Sequence, residues 1–140
     1  MEQLAKSKIT TGTSLFDETY KLESSPSYHL SMEVGKDGIA SAVLDLDRNK
    51  YIGLISYSFQ SSPDLRVSLE NAGEIFTKDI FKARYKSISV GLITSKSTLV
   101  PLPLLDKEKA NELLYFNHIP ESSEIIKTDE IKSIEAKNIY

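Results

Sequence analysis

The fold is decided by residues 28–59, which read YHLSMEVGKDGIASAVLDLDRNKYIGLISYSF. Apolar and polar side chains alternate over residues 28–34, as they do in a strand with one buried face. The alternation stops at the glycine-containing run of residues 35–38, where glycine supplies the backbone freedom that a chain reversal needs. A second polar run, over residues 47–50, separates two further apolar stretches. The sequence therefore predicts a three-stranded antiparallel meander whose first strand directs Leu30, Met32 and Val34 towards the core.

A helix is predicted to follow the meander. Ser62 and Pro63 have the order of an N-cap and a first helical residue. Apolar residues then recur at spacings of three and four, and we expect a break near Gly73 or Thr77. The apolar residues predicted to face the sheet are Leu65, Leu69, Ala72, Phe76 and Ile80.

We predict a single α/β domain over residues 28–140. The polar residues 1–27 are expected to form an extended lead-in that adds an edge strand near residues 18–22. The remaining predicted elements are a strand over 85–93 with a candidate hairpin partner at 98–100, a helix over 107–117 capped by Asp106, and short strands over 124–128 and 134–140.

Composition narrows the class of protein. Of the 140 residues, 40% are hydrophobic and 26% are charged, which is typical of a folded globular domain. The net charge is −3 and the basic residues are scattered, so no nucleic acid partner is expected. The sequence contains no cysteine, which excludes disulfides, thiolate metal sites and thiol catalysis. It has no signal-peptide pattern and no apolar run long enough to span a bilayer, so we expect a cytoplasmic protein without membrane contact.

Several runs of the sequence resemble an uncharacterised bacterial domain-of-unknown-function family, whose members are similar in fold to actin-like ATPases. These runs are residues 30–45, Thr98-Leu99-Val100-Pro101 and the helix end at Phe116-Asn117. The resemblance covers nearly all of residues 16–140 and corresponds to the first half of the longer family pattern. It implies an α/β fold of ribonuclease-H-like or actin-like ATPase type, in which the meander is followed by helix-strand-helix elements.

The resemblance also makes the first hairpin the candidate ligand site. In actin-like ATPases this hairpin cradles phosphate, with an Asp-x-Gly followed by a Thr or Ser. Gly35 and Gly38 match that pattern, and Glu33 and Lys36 complete a phosphate-loop-like hairpin. However, Glu33 replaces the aspartate, the turn has no hydroxyl residue, and Asp37 adds a negative charge beside an incoming phosphate. We predict a tight turn without a catalytic residue, and ATP with Mg²⁺ only as an alternative ligand.

A ribonuclease-H-like nuclease is disfavoured for a different reason. Such an enzyme needs convergent carboxylates on the first strand, the following helix and the fourth strand to hold two Mg²⁺ ions. Glu33 and Glu70 supply the first two, but residues 87–91 contain no acid. Glu70 is therefore expected to be a solvated helix residue.

Other chemistry-bearing residues also have structural explanations. Asp45 and Asp47 share a face at an i, i+2 spacing that suits acid–base catalysis, but they flank a reversal, so turn formation explains them better. His29 and His118 have no partner at ligand spacing, which predicts no metal site. Ser41, Ser56 and Ser58 have neither a nucleophile-elbow pattern nor a nearby histidine, so a hydrolase triad is not predicted.

These observations favour a non-catalytic binding or assembly module. The alternative is a nucleotide-binding lobe that needs a second lobe to close around ATP. Residues 134–140 still alternate like a strand, so we expect the chain to be the front portion of a longer or divided protein. A protein partner or second lobe is expected to cover its exposed surface, and self-association through an unpaired strand edge is a further expectation.

Overall fold

The structure, a computed structural model, describes residues 9–59, 65–121 and 124–140. The chain divides into two compact units, the first of which ends at Ile93 and the second of which begins at Thr94. Each unit has its own sheet and its own hydrophobic core. Whether the two units form the one domain predicted over residues 28–140 stays a prediction.

The first unit is built on a five-stranded sheet. Its strands are β1 (Ile9–Phe16), β2 (Tyr28–Gly35), β3 (Gly38–Asp45), β4 (Lys50–Phe59) and β5 (Ser87–Leu92). They lie in the order β1-β4-β3-β2-β5, in which β5 runs parallel to β2 and every other neighbouring pair is antiparallel. The predicted meander is thus confirmed as β2, β3 and β4.

One face of this sheet carries the core of the unit. Along β3, buried and half-buried residues alternate with the period of two expected for a strand. Leu30 is buried, and Met32 and Val34 pack against the same cluster, as predicted. Ile39 and Val43 of β3 are also almost completely buried in this cluster.

Two helices cover the core-facing side, α1 (Leu65–Phe76) and α2 (Asp79–Lys82). The predicted break near Thr77 is confirmed, and the Thr77 hydroxyl donates a 2.6 Å hydrogen bond to the carbonyl of Glu74. The predicted apolar stripe is wrong at Phe76, which is 38% exposed, because the helix turns Ile75 into the core instead. Phe76 packs edge-on against Phe81, with ring centroids 5.5 Å apart. The predicted helix start at residues 62–63 and the side chains of residues 65 and 69 lie outside the described part of the chain.

The edge strand predicted near residues 18–22 is wrong, because the strand lies earlier, at β1. It pairs with β4, from Ile9 opposite Phe59 to Phe16 opposite Gly53. A turn ends it, since the Asp17 carboxylate accepts hydrogen bonds from the backbone and hydroxyl of Thr19 at 3.0 and 2.6 Å. The predicted lead-in is therefore partly an integral strand of the sheet.

The second unit contains β6 (Thr98–Pro101), α3 (Ala110–Tyr115), β7 (Thr128–Ile131) and β8 (Ala136–Ile139). Its sheet has the antiparallel order β6-β8-β7, and Val100, Leu114 and Ile139 form its core. The predicted cap is confirmed, because the Asp106 carboxylate accepts a 3.1 Å hydrogen bond from the backbone of Glu108.

Other predictions for this region need correction. The candidate hairpin between residues 85–93 and 98–100 is wrong, since β5 pairs with β2 and β6 pairs with β8. The helix predicted over 107–117 is shorter and begins with a 3₁₀ turn at Lys107–Lys109. The strand predicted over 124–128 is displaced to β7, because Glu124 is instead held by Lys96, which also binds Glu121 at 2.7 Å. Hydrogen bonds from Lys96 lower the pKa of Glu124.

Candidate functional site

The hairpin between β2 and β3 holds the residues predicted to bind a ligand. Gly35 lies opposite Gly38, and Lys36 and Asp37 form the turn between them. The sequence predicts that these glycines supply backbone freedom for the reversal. Neither glycine has a positive φ, so the turn does not use that freedom. Instead, a Cβ on Gly38 would lie 2.5 Å from the carbonyl oxygen of Tyr57. Glycine at position 38 allows β4 to approach the hairpin closely.

The chemistry of this hairpin is that of a tight turn. The carbonyl of Asp37 accepts a 2.9 Å hydrogen bond from the backbone of Phe59, which ties the turn to the end of β4. A phosphate-binding nest needs successive amides in right- and left-handed conformations, and the turn contains no left-handed residue. Glu33 and Lys36 are exposed. The register brings the candidate residues into one hairpin, but their role in binding a ligand stays a prediction.

A polar network that the sequence did not predict lies on the sheet face opposite the core. The two ring nitrogens of His29 contact the hydroxyls of Ser87 and Ser89 at 2.8 and 3.0 Å. The hydroxyl of Ser89 in turn lies 3.4 Å from that of Ser31. The parallel register of β2 and β5 creates this arrangement, because it sets His29 directly beside Ser87.

This network lacks the parts of a serine nucleophile. A catalytic histidine accepts the nucleophile's proton on one nitrogen and is oriented through the other by a carboxylate or a similar group. Both nitrogens of His29 are occupied by serine hydroxyls. The contacts therefore act as a cross-strand polar ladder that fixes the register of β5 on β2.

Asp45 has the structural role predicted from its place at a reversal. It is almost completely buried and accepts hydrogen bonds from the backbones of Asp47 and Arg48 at 3.0 and 3.1 Å. The Arg48 side chain binds the same carboxylate at 2.7 Å. The backbone and side-chain hydrogen bonds from Arg48 lower the pKa of Asp45. Asn49 completes the turn with a φ of 51°.

β5, at one edge of the five-stranded sheet, exposes a row of apolar side chains. Its pairing with β2 has no register shift over six consecutive residues. The side chains of Ile88, Val90 and Leu92 lie on the core-facing side, yet they are 52%, 53% and 59% exposed. Residues 87–95 carry no charge. Parallel strands are normally covered on both faces, so β5 is unusually open for a strand of its kind.

The opposite edge, β1, is protected in a way that β5 is not. Its pairing with β4 is interrupted by an irregularity between Thr11 and Ser14. Within that irregularity the backbone of Thr13 donates a 2.8 Å hydrogen bond to the hydroxyl of Ser56. Such bulges reduce the tendency of an edge to pair with another chain.

Within residues 9–59, 65–121 and 124–140, no group of three or more His, Cys, Asp or Glu side chains could hold a metal ion. Among the helices of that same part of the chain, none has the length and apolar character needed to cross a bilayer.

Comparison with known protein families shows which family the chain belongs to. Residues 17–140 match the model of a family described as a protein of unknown function, DUF3822, and the chain belongs to that family. A search of curated proteins found no match.

A solved structure supports the fold. The chain is similar to a Bacteroides thetaiotaomicron protein described as having an actin-like ATPase fold and unknown function, with a TM-score of 0.74 and 22% sequence identity. The match covers 87% of this chain but 47% of that one, so this chain spans about half the length of its structural neighbour. At this identity the likeness shows the fold and not the activity. The predicted relation to actin-like ATPases in fold, and to a family of unknown function, is confirmed.

Proposed function

We propose that this chain is a non-catalytic binding or assembly module that joins a protein partner through the open edge of β5. The partner adds a strand to the sheet, so that backbone hydrogen bonds give affinity and alternate side chains give specificity. The proposal includes the cytoplasmic location and the absence of nucleic acid and membrane partners expected from the sequence.

One observation carries this proposal, the combination of an uncharged edge with a half-exposed apolar row. Natural edge strands are usually blunted by charges, proline or bulges. β5 has none of these along its paired length, and Ile88, Val90 and Leu92 are more than half exposed. An edge that keeps this character is more consistent with a pairing surface than with a solvated boundary.

The structural neighbour supports a partner that supplies more than a strand. Pairing at the backbone alone would leave the apolar row of β5 uncovered, so the partner also has to present apolar side chains on the core-facing side. A second lobe would provide both. The neighbour's chain contains roughly as much again beyond the matched part, which is consistent with such a lobe.

We also infer a ribonuclease-H-like topology for the first unit, with a helix-strand-helix continuation after the meander. The supporting feature is the strand order, in which a meander is extended by a strand parallel to its first member. Strands added parallel to β5 would continue the same sheet.

The test compares three versions of the chain as bait in lysate of its source cells. Val90→Lys adds a charge to the β5 edge, and Leu15→Lys is the matched control, because Leu15 is exposed on the other edge strand. We expect a polypeptide, whether another protein or a second copy, to bind the wild type and Leu15→Lys but not Val90→Lys. Equal capture by all three, or capture by none, contradicts the proposal.

The alternative function, an ATP-binding lobe, is kept because the neighbour is described by an actin-like ATPase fold. A ligand that binds only the folded state raises the melting temperature by mass action. The module proposal predicts no shift with millimolar Mg-ATP. A shift that Lys36→Ala removes would favour the nucleotide-binding lobe and contradict the module.

A further inference from the structure

We infer that the second unit carries its own docking site, which binds a cationic amphipathic segment of a partner protein at the end of α3. The site consists of two exposed apolar side chains, Phe116 and Ile119, with the exposed acidic residues Glu112 and Glu121 beside them. We call the two apolar side chains the apolar patch. The inference goes beyond the pairing proposed for β5 and does not rest on it, because all four residues belong to the second unit.

The apolar patch is almost fully open to solvent. Phe116 is 87% exposed and Ile119 is 82% exposed, which are the largest values among the large apolar side chains of the described residues. The two lie three residues apart along the chain. Single apolar residues on a surface are common, but neighbouring ones with a polar rim are typical of an interaction site. Covering a phenylalanine removes roughly 150–250 Å² from water, so this patch favours a bound partner.

Hydrogen bonds hold the chain after α3 in place, so the patch is presented by a fixed backbone. The ammonium of Lys96 donates a 2.8 Å hydrogen bond to the carbonyl of Ile119 itself and a 2.7 Å hydrogen bond to the carboxylate of Glu121. Nε2 of His118 lies 3.0 Å from the carbonyl oxygen of Ser97. A backbone that is already ordered loses less conformational entropy when a partner binds.

The rim of the patch is negative on the α3 side. Glu112 is exposed, and its carbonyl accepts a 3.0 Å hydrogen bond from the amide of Phe116, so the two residues lie one turn apart on the same side of the helix end. Glu112 forms no ion pair with any residue in the part of the chain that the structure describes. Its charge is therefore available to a partner.

The other side of the patch is negative as well. Glu121 and Glu124 both bind Lys96, so two carboxylates share one ammonium. Residues 110–126 contain no lysine or arginine. A partner that places lysine or arginine beside apolar side chains is complementary to this arrangement. An anionic membrane, which also takes up exposed phenylalanine and isoleucine, would be repelled by the same rim.

The first test titrates the intact chain into two fluorescently labelled synthetic helices that share a leucine face. One has lysine at its remaining positions and the other has glutamate. We expect the lysine peptide to bind at least about tenfold more tightly than the glutamate peptide at low ionic strength. No binding of the lysine peptide, or equal binding of the two peptides, overturns the inference.

The second test removes the patch. The double variant Phe116→Ser with Ile119→Ser should weaken binding of the lysine peptide by about tenfold or more, because apolar anchors carry most of the affinity of such contacts. Leu104→Ser is the matched control and should bind like wild type, since Leu104 is also exposed but precedes α3. Both variants should melt like wild type, because the replaced side chains are exposed. Unchanged binding by the double variant, or an equal loss in the control, contradicts the inference.

The third test reverses the charge of the rim and leaves the patch intact. Glu112→Lys should weaken binding of the lysine peptide and strengthen that of the glutamate peptide. Glu130→Lys makes the same change of charge on the exposed strand β7 and should alter the preference much less. Equal effects of the two variants would mean that only the net charge of the chain matters, and the site would be refuted.

Two further measurements test other occupants of the patch. The intact chain is mixed with vesicles of phosphatidylcholine and phosphatidylserine, and it is sedimented alone over a concentration series. We expect neither vesicle binding nor self-association to depend on Phe116 and Ile119. Vesicle binding that the double variant loses would assign the patch to a membrane, and a dimer that it loses would assign the patch to a second copy. Either result overturns the inference.

The variant Val90→Lys separates this inference from the proposed function. It should keep the preference for the lysine peptide, because Val90 belongs to the first unit. If capture does not depend on Val90 but the peptide preference persists, the proposed function fails and this inference stands. If Val90→Lys abolishes the preference, the peptide binds at β5 and this inference fails.

Discussion

The two edges of the five-stranded sheet differ in how they are protected from further pairing. β1 is interrupted by an irregularity between Thr11 and Ser14, and its end is tied by an ion pair in which Lys50 contacts Asp17 at 2.6 Å. β5 runs in unbroken register beside β2 and exposes an apolar row, and neither β1 nor β5 contains a charged residue. Both edges contain exposed apolar residues, so hydrophobicity alone does not distinguish them.

This difference between the two edges is the basis of the binding function that we propose for β5. The candidate hairpin is a tight turn, Asp45 is engaged by its own turn, and His29 is held between two serines. An edge strand without the usual means of blocking it is available to pair with another strand. The pairing of β1 is interrupted by an irregularity, whereas that of β5 is not.

The largest expected effect is a loss of stability on truncating a side chain in the core of the five-stranded sheet, between its two edges. Leu30→Ala should lower the free energy of unfolding by about 2–5 kcal/mol, because Leu30 is 1% exposed and its truncation leaves a cavity. Leu15→Ala, on the β1 edge, should change it by less than about 0.5 kcal/mol. Urea denaturation of both variants measures the difference. Similar losses for the two would mean that β1 is part of the core, and the comparison of edges would have to be redrawn.

The next largest effect is the difference in stability between replacing Gly38, at the start of β3, and replacing Gly91, on the open edge strand β5. Gly38→Ala should cost about 1–3 kcal/mol, because its Cβ would press on the backbone of Tyr57. Gly91→Ala should be neutral or stabilising by up to about 1 kcal/mol, since the nearest atom to its Cβ would be the Met32 carbonyl oxygen at 3.8 Å. Thermal unfolding distinguishes them. A destabilising Gly91→Ala would indicate that something already covers β5.

The smallest effect is a pH dependence confined to the β1 edge. Hydrogen bonds from Lys50 and then Thr19 hold the pKa of Asp17 well below its ordinary value. A lowered folded-state pKa contributes stability that is present above the unfolded value, near 3.8, and is lost as the pH falls further. The melting-temperature advantage of wild type over Asp17→Asn should therefore be largest at neutral pH and shrink below about pH 4.

The contribution is expected to be small because Asp17 and Lys50 are near the solvent-exposed surface. The control is Val90→Thr, which should show no such pH-dependent difference from wild type. A constant difference between wild type and Asp17→Asn at every pH would show that the ion pair does not secure the end of β1.

The meander could be predicted from the sequence because its signals are local. Alternation over residues 28–34 and the glycine-containing turn after it specify strand, turn and buried face together. The candidate hairpin could be located in the same way. The sequence could not predict that the turn contains no left-handed residue, because glycine permits that conformation without requiring it.

The remainder depends on contacts between distant residues. The ladder from His29 to Ser87 joins positions 58 apart, and only the parallel register of β2 and β5 brings them together. The sequence does not predict β1 although residues 9–16 are rich in β-branched residues, because the threonines, the serine and the glycine of this run are also typical of a solvated lead-in. Whether Ile75 or Phe76 enters the core depends on how α1 is rotated about its own axis, and apolar spacing alone does not determine that rotation. In α1, which ends at Phe76, Ile75 is buried and Phe76 is partly exposed.

The most direct test of the β5 account is amide hydrogen exchange measured residue by residue. At low concentration, the amides of Ile88, Val90 and Leu92 should exchange much faster than those of Ser89 and Gly91, because they face the open edge. At high concentration, or with a captured partner, the same three amides should become protected while those of β1 do not change. Protection of all three in a dilute monomer would show that the edge is already covered, and would contradict the account.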